Sequence, residues 1–440
     1  MMIAVENKIL KIIGNHKSGN AIGITSICSA NYYVIKAAIL NAKKYNQILL
    51  IESTSNQVDQ FGGYTGLTPA KFKQSVFKLA NQLNFSEENI ILGGDHLGPN
   101  RWQNEVSSSA LQKAKDQITS YVSSGFTKIH LDASMKCADD GDQNNPLDPS
   151  IIAERSAVLC KASEEAVTKS VNEVDLPVYI IGTDVPPPGG AKEHQNTIHI
   201  TLPEEVEETI RVTEMAFKKY NLQEAWERVI GLVVQPGVEF GDIDVFDYDR
   251  SKSKELVRLI ENFPTIVYEA HSTDYQRKEL LRQMVEDHFV FMKVGPWLTY
   301  KFREAVFALE LIERELLSNK KGIVISNLRE VVDQVMVENP KYWKKYYSGC
   351  EEDNKLKRKY SYSDRIRYYW ADRKVDESLK RLLFNLYVNE IPQTLLSQFL
   401  PEEYSAVRER KSSVNPEEII LHKITDVLEI YNFATSGGIN

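Results

Sequence analysis

Cysteine is scarce in this chain of 440 residues, and its four copies, Cys28, Cys137, Cys160 and Cys350, form no CxxC pair and keep no regular spacing. That argues against a disulfide framework and a zinc finger and suits a reducing, cytoplasmic setting. Long apolar runs are missing as well. No window approaches about 18 uninterrupted apolar residues, and no charged-then-apolar leader opens the chain, so neither a membrane span nor an export signal is expected. Positive charge is in deficit: 53 Lys and Arg face 61 Asp and Glu, a net charge of -8. An acidic chain is repelled by nucleic acid and by anionic membranes, so no partner of either kind is expected. No apolar run opens onto a GxGxxG fingerprint, which removes the usual nicotinamide site.

What the chain does have is eight short apolar runs, roughly 25 to 45 residues apart, each ending in polar residues. Ile22 to Ile27 leads to Ser29 and Asn31, Ile48 to Ile51 to Glu52 and Asn56, and Ile90 to Leu92 to Asp95 and His96. Ile129 to Leu131 leads to Asp132 and Ser134, Val178 to Ile181 to Thr183 and Asp184, and Val229 to Val234 to Gln235 and Glu239. The last two, Ile266 to Tyr268 and Phe289 to Met292, lead to Glu269 with His271 and to Lys293 with Gly295. Strands buried on both faces read as apolar runs, and parallel strands need helix-length returns; the amphipathic stretches 70–83, 107–123 and 204–220 supply such returns. The rhythm predicts a (β/α)8 TIM barrel, whose polar strand ends meet in one pocket. A single barrel takes about 250 residues. The division expected is therefore a barrel over residues 1–310 and a mainly helical C-terminal extension over 311–440. The Asp-, Asn-, Gly- and Pro-rich stretch from Cys137 to Ser150 reads as a long loop on the active-site side.

The strongest motif is Gly93-Gly94-Asp95-His96-Leu97-Gly98-Pro99-Asn100, where two glycines let backbone approach a ligand and an acid adjoins an imidazole. His271 repeats the pattern four runs later. His130 and Asp132 alternate about Leu131 and so share one side of their strand, which suits a packed core or supporting role as well as catalysis. Asp184 precedes a proline run and a glycine pair, and Gln235 and Glu239 make a similar exit after the sixth run. Glu239 with His96 and His271 would make a His, His, carboxylate metal set that leaves positions open for substrate. Lys293, Ser272 and Thr273 are donors where barrels commonly hold phosphate.

Over nearly its whole length the chain resembles the Z subunit of class II tagatose-bisphosphate aldolase, the GatZ/KbaZ family. The likeness is carried by the segments 53–58, 60–66, 94–100, 129–134, 234–240 and 269–275, and by Ser363-Asp364-Arg365-Ile366-Arg367-Tyr368-Tyr369-Trp370. It implies a barrel related to the zinc-dependent class II aldolases and a place in galactitol, tagatose or N-acetylgalactosamine breakdown. Some such proteins are non-catalytic partners of a catalytic Y subunit; others resemble 4-epimerases of fructose and tagatose or their 6-phosphates. By the same resemblance Asp95 matches the proton-transfer aspartate, and His96 and His271 match two zinc histidines. The third zinc histidine has no counterpart near the sixth run, where Gln235 and Glu239 stand.

The C4 hydrogen of a 2-ketohexose is not adjacent to the carbonyl, so deprotonation cannot invert that centre. Retro-aldol cleavage of C3–C4, rotation of the aldehyde and re-formation of the bond can. That route uses a divalent metal (Zn, Mn, Co, Ni or Mg), Asp95 as base and Glu239 or Asp132 as a second acid/base group. The substrate-binding residues expected are Asn31, Glu52, Asn56, Asn100, His130, Asp184, Gln235, Ser272, Thr273, Lys293 and Arg365. The substrate expected is a ketohexose or its phosphate, the assembly a homo- or hetero-oligomer. The competing reading is a non-catalytic subunit that stabilises and activates a catalytic Y subunit. Between Lys341 and Arg373, basic and aromatic residues interleave; they read as a helical cap on the barrel, with Arg365 or Arg367 reaching a sugar phosphate.

Overall fold

The structure, a computed structural model, describes residues 7–142, 145–169, 175–182 and 198–437. The eight apolar runs become parallel strands: β1 (Ile24–Ile27), β2 (Leu49–Thr54), β3 (Ile90–Leu97), β4 (Lys128–Leu131), β5 (Val178–Ile181), β6 (Val229–Val234), β9 (Val267–Ala270) and β10 (Phe289–Val294). Between β6 and β9, β7 (Glu239–Phe240) and β8 (Val245–Phe246) form a small antiparallel hairpin. The parallel strands close in the order β1-β10-β9-β6-β5-β4-β3-β2, the (β/α)8 barrel the rhythm predicts. Asp184 lies outside the described residues.

Strand alternation sorts each side chain to one of two layers. Ile51, Ile129, Tyr179, Tyr268 and Met292 pack outward against the helices, whereas Ile24, Leu50, Ile91, Ile180, Val267 and Phe291 point inward. The helix Lys8–Lys17 adds Ile9 and Ile13 to the inner cluster and closes the end where the strands begin. Two residues further along the inward register come Glu52, His130, Glu269 and Lys293, with Lys128 two before His130, all buried. Strands apolar throughout were the expectation; the inner layer instead changes from hydrocarbon to charge halfway up.

The expected boundary at 310/311 falls inside one continuous helix, Pro296–Leu317. Beyond it the described residues form helices, and the last of these, Pro416–Thr435, returns to the barrel. It packs against the helices Pro296–Leu317, Tyr32–Tyr45 and Lys278–Glu286. Asn415 caps it by accepting the Glu417 N–H, and Pro416 sits at its first position, where no backbone donor is needed. Thr435 O accepts the Gly23 N–H at 2.9 Å, and the Tyr431 hydroxyl donates to Thr273 O at 2.9 Å. This helix therefore belongs to the outer layer of the barrel although it lies at the far end of the sequence. Among the described residues no helix is long and apolar enough to cross a membrane.

A chain truncated after residue 310 is accordingly expected to aggregate, because losing the last helix uncovers the apolar backs of three others. Size-exclusion chromatography with thermal denaturation checks this; a soluble, cooperatively melting 1–310 fragment would show that the layer closes without it.

Candidate active site

Adjacent residues of a strand ordinarily face opposite ways, yet Asp95 and His96 both line the barrel mouth. The cause is a bulge: Gly94 pairs with Ile129 and Leu97 with Leu131, so Asp95 and His96 together stand opposite His130 alone. His96 takes a positive φ of 50° there, and its backbone N–H lies 3.2 Å from His130 Nδ1. The glycines of the motif make room for protein, not ligand. A Cβ on Gly93 would meet Glu52, and one on Gly98 would lie 1.6 Å from the Asp132 carbonyl oxygen.

Beneath the mouth lies a buried ion network. Lys128 Nζ is 2.8 Å from Glu52 and 2.5 Å from Glu269. Lys293 Nζ is 2.9 Å from Glu52, 2.5 Å from Asp95 and 3.3 Å from Glu269. Burial disfavours the charge on Lys293, but Asp95, Glu269 and Glu52 hold its pKa well above the usual lysine value. Burial likewise opposes ionisation of Asp95, and His96 and Lys293 outweigh it, keeping the carboxyl well below its ordinary range.

Three imidazoles stand over this network with ring centroids 4.8 Å (His96 and His271), 5.1 Å (His96 and His130) and 5.3 Å (His130 and His271) apart. Each has one ring nitrogen on a carboxylate. His96 Nδ1 meets Asp132 at 2.8 Å, His130 Nδ1 meets Asp95 at 3.0 Å, and His271 Nε2 meets Glu269 at 3.0 Å. Such contacts hold each ring in place, as the carboxylate partners of metal-bound histidines do. Burial pushes His271 down to about 3, so it is neutral and able to ligate. Burial works against charge on His96 too, but Asp95 and Asp132 raise it.

These residues fit a divalent cation on three counts. His130 Nε2 is buried without a hydrogen-bond partner, an unmet polar atom. Ligand atoms of Asp95, His130, Glu269 and His271 lie within 4.8 Å of one another, and imidazoles sharing a tetrahedral ion with bonds of about 2.0–2.1 Å have centroids about 5 Å apart. Finally, two lysines, Lys128 and Lys293, are shared among three carboxylates, Glu52, Glu269 and Asp95, while Asp132 is paired with His96, so the buried set is short of one positive charge.

The mouth pocket brings together Asp95, His96, His271, Ser272 and Lys293 from the sequence-derived set. Asn56, Asn100 and Arg365 meet in an adjoining cavity of about 320 Å³, which shares Tyr64 and Tyr368 with the mouth and also receives Arg101, Lys341 and Lys345. Among the described residues no carboxylate lines it. Other expected residues are placed differently. Asn31 caps the helix Tyr32–Tyr45, its Oδ1 accepting the Tyr33 and Val34 N–H groups. Glu52 belongs to the ion network beneath, His130 is fully buried beside the other two imidazoles and outside the pocket lining, and Asp132 is turned onto His96 and Ser134, away from the pocket. Thr273 donates to the Lys293 carbonyl and pairs with Tyr431, while Gln235 Oε1 accepts the Gly237 N–H. Glu239 stands on the hairpin, its Oε1 accepting the Phe240 N–H; of the expected metal set only His271 is in the convergent quartet, with His96 beside it.

Sequence reading passed over Lys128 and named Glu269 as a polar strand end without a role of its own, although each lies two residues before a singled-out histidine and so shares its face. It also missed Asp274, which lines the mouth and caps the helix after β10 by accepting N–H bonds from Gly295 (3.0 Å) and Trp297 (2.8 Å). Burial raises Asp274 to about 6. Arg367, rather than Arg365, lines the mouth itself.

Burial also pushes Glu239 up to about 7. A carboxyl raised in the folded state contributes stability that is complete below its unfolded pKa, near 4.5, and lost as pH rises through about 7. Glu239→Gln is therefore expected to stabilise the protein by about 2 kcal/mol at pH 8 and to make no difference at pH 4.5, read from urea unfolding at the two pH values.

Residues 9–436 match the model of a family described as D-tagatose-1,6-bisphosphate aldolase subunit GatZ/KbaZ-like. Among solved structures, a protein of Sinorhizobium meliloti 1021 described as a probable tagatose 6 phosphate kinase is 42% identical, with a TM-score of 0.84 over 94% of this chain and 100% of its own. Fructose-bisphosphate aldolase (Fba) of Campylobacter jejuni is 16% identical with a TM-score of 0.43, over 86% of this chain and 92% of its own. The fructuronate-tagaturonate epimerase UxaE of Cohnella laeviribosi is 14% identical with a TM-score of 0.45, over 93% and 81%. At those overlaps neither bears on the chemistry here.

Proposed function

This chain belongs to the GatZ/KbaZ-like family of D-tagatose-1,6-bisphosphate aldolase subunits, and from that premise we propose that it is a metal-dependent ketose-phosphate 4-epimerase working by retro-aldol cleavage and re-addition. The observation that carries the proposal is the trio of carboxylate-held imidazoles above a buried set lacking one positive charge. His130 and His271, with Asp95, Glu269 or the neighbouring His96, would hold a divalent cation, which supplies electron withdrawal from the ketose carbonyl when bound.

The side chains do the rest. Asp95, ionised throughout the working range, takes the C4 hydroxyl proton as the C3–C4 bond breaks and its electron pair moves toward C2. Lys293, held as an ammonium, offsets the negative charge that builds on the three-carbon fragment. After the aldehyde turns, its other face needs a separate proton donor. Glu239, near 7 and hydrogen-bonded to the pocket residue Ser272, is poised to exchange a proton there. Asp132 is not available for that role, since both its oxygens are engaged by His96 and Ser134.

A phosphorylated substrate is supported by the adjoining cavity. Arg365 is 2% exposed, its Nε and Nη2 have no partner, and Asn100 Nδ2 is also unmet. Buried donors without acceptors, beside Arg101, Lys341 and Lys345, suit a phosphate group. The family description names a subunit, which favours a second reading: a chain that activates a catalytic aldolase partner.

The purified chain, loaded with a divalent ion, is expected to convert fructose 6-phosphate into tagatose 6-phosphate. Chelation or Asp95→Asn should each slow it at least about 100-fold. Product formed undiminished in chelator, or none from the metal-loaded chain, defeats the epimerase reading. Silence that ends when a catalytic aldolase subunit is added supports the second. Separately, Arg365→Gln should raise KM for the 6-phosphate about 10- to 100-fold with kcat little changed, in steady-state assays; an unaltered KM removes the cavity from substrate recognition.

A further inference from the structure

Outside the residues that line the barrel mouth, the short helix Pro401–Arg408 lies against the last helix, Pro416–Thr435. Glu403, on the short helix, is 0% exposed, and neither of its carboxylate oxygens has a hydrogen-bond partner. A buried carboxylate in that state is more costly than an unmet neutral group, so it calls for a counter-charge. It faces His422 and Asp426, which are four residues apart and so share one face of the last helix. His422 Nδ1 is itself buried without a partner, 3.7 Å from Glu403 Oε1 and beyond hydrogen-bond reach. Ligand atoms of Glu403, His422 and Asp426 lie within 4.8 Å of one another.

The competing counter-charges are a protonated His422, whose pKa Glu403 raises, and Lys423. Lys423 Nζ is also 3.7 Å from Glu403 Oε1, but it is bonded to Glu402 Oε2. That leaves Glu403 with two neighbours at a distance and none in contact. Donor atoms around a tetrahedral divalent ion, with bonds of about 2.0–2.2 Å, stand about 3.4 Å apart, so the 3.7 Å gap between His422 and Glu403 needs to close by only a few tenths.

We propose that Glu403, His422 and Asp426 form a second divalent-metal site, structural in role and independent of the barrel chemistry, for a borderline ion of the Zn²⁺ or Co²⁺ kind. One imidazole with two carboxylates suits such ions, whereas Mg²⁺ and Ca²⁺ favour oxygen donors alone. The His422 side chain is 27% exposed, which gives the ion a way in and a position for water. Bound there, the ion ties the short helix to the one that closes the outer layer of the barrel, and so holds the end of the chain in place.

The test uses the full-length chain, stripped by chelator, with His130→Ala and His271→Ala removing two barrel ligands. Titration with Co²⁺, followed by calorimetry and visible absorption, is expected to show one ion per chain at micromolar affinity or tighter. Adding His422→Gln should abolish that ion, while adding Lys423→Met should not. No binding at about 1 mM Co²⁺ overturns the site, as does unchanged stoichiometry in the His422→Gln chain. Should the barrel variant fail to fold, the wild-type chain is counted against His422→Gln alone; a difference of one ion is expected, and no difference overturns the proposal. Conversion of fructose 6-phosphate by His422→Gln is expected to match wild type, so failure of this site and failure of the epimerase reading give different results.

Discussion

Everything above the hydrocarbon floor of this barrel rests on two buried ammonium groups shared among three carboxylates. Lys128 and Lys293 reach Glu52, Glu269 and Asp95 across the interior, from strands β2, β3, β4, β9 and β10. Taking such groups out of water costs several kcal/mol per ion unless their geometry is strict, so these strands are held in register by charge as well as by backbone pairing. The same contacts decide the protonation states at the mouth. Lys293 helps to keep Asp95 ionised, and Glu269 orients His271 while it receives Lys128. Structure and chemistry thus draw on one network, and the remaining deficit of positive charge is what makes a divalent cation a natural occupant.

The C-terminal segment completes this site rather than decorating it. Tyr368 stacks on Tyr342 with rings 4.9 Å apart and meets Tyr64 from the loop after β2 at 4.8 Å. That aromatic wall separates the mouth from the basic cavity, and Arg367 and Arg365, two residues apart, serve one side each. The last helix reaches the loop after β9 through Tyr431 and Thr273, two residues from His271. Residues that read as an appended cap are built into the walls and the outer layer.

Much of the fold was legible because burial on two faces leaves a plain mark. Eight apolar runs at helix-length intervals have few other solutions, and all eight became barrel strands. The cluster of Asp95, His96, His271, Ser272 and Lys293 was legible for the same reason, since the ends of parallel strands share one face. Less legible were residues whose role depends on direction. Thr273 and Ser272 are neighbours, yet one bonds Tyr431 and the other lines the pocket, because Ser272 takes a positive φ of 54° that no composition rule announces. Glu239 was assigned to the metal by type and position, but the hairpin that follows β6 holds it on its own backbone. His130 reads as core, support or catalyst alike, and only the bulge at Asp95 and His96 shows it fully buried and beside the other imidazoles.

The sequence by itself determined the closed ring of strands, the end of the barrel where the polar residues gather and the family to which the chain belongs, since these follow from periodicity and from long matching segments. Only the tertiary structure decided which carboxylate holds which imidazole, that Lys128 and Glu269 lie beneath the site, and that the final helix is part of the barrel. Periodicity is a property of neighbours along the chain. Charge pairing and layer closure join residues hundreds of positions apart, as between Lys293 and Glu52 or Thr435 and Gly23, and such distances are set only when the whole chain has packed.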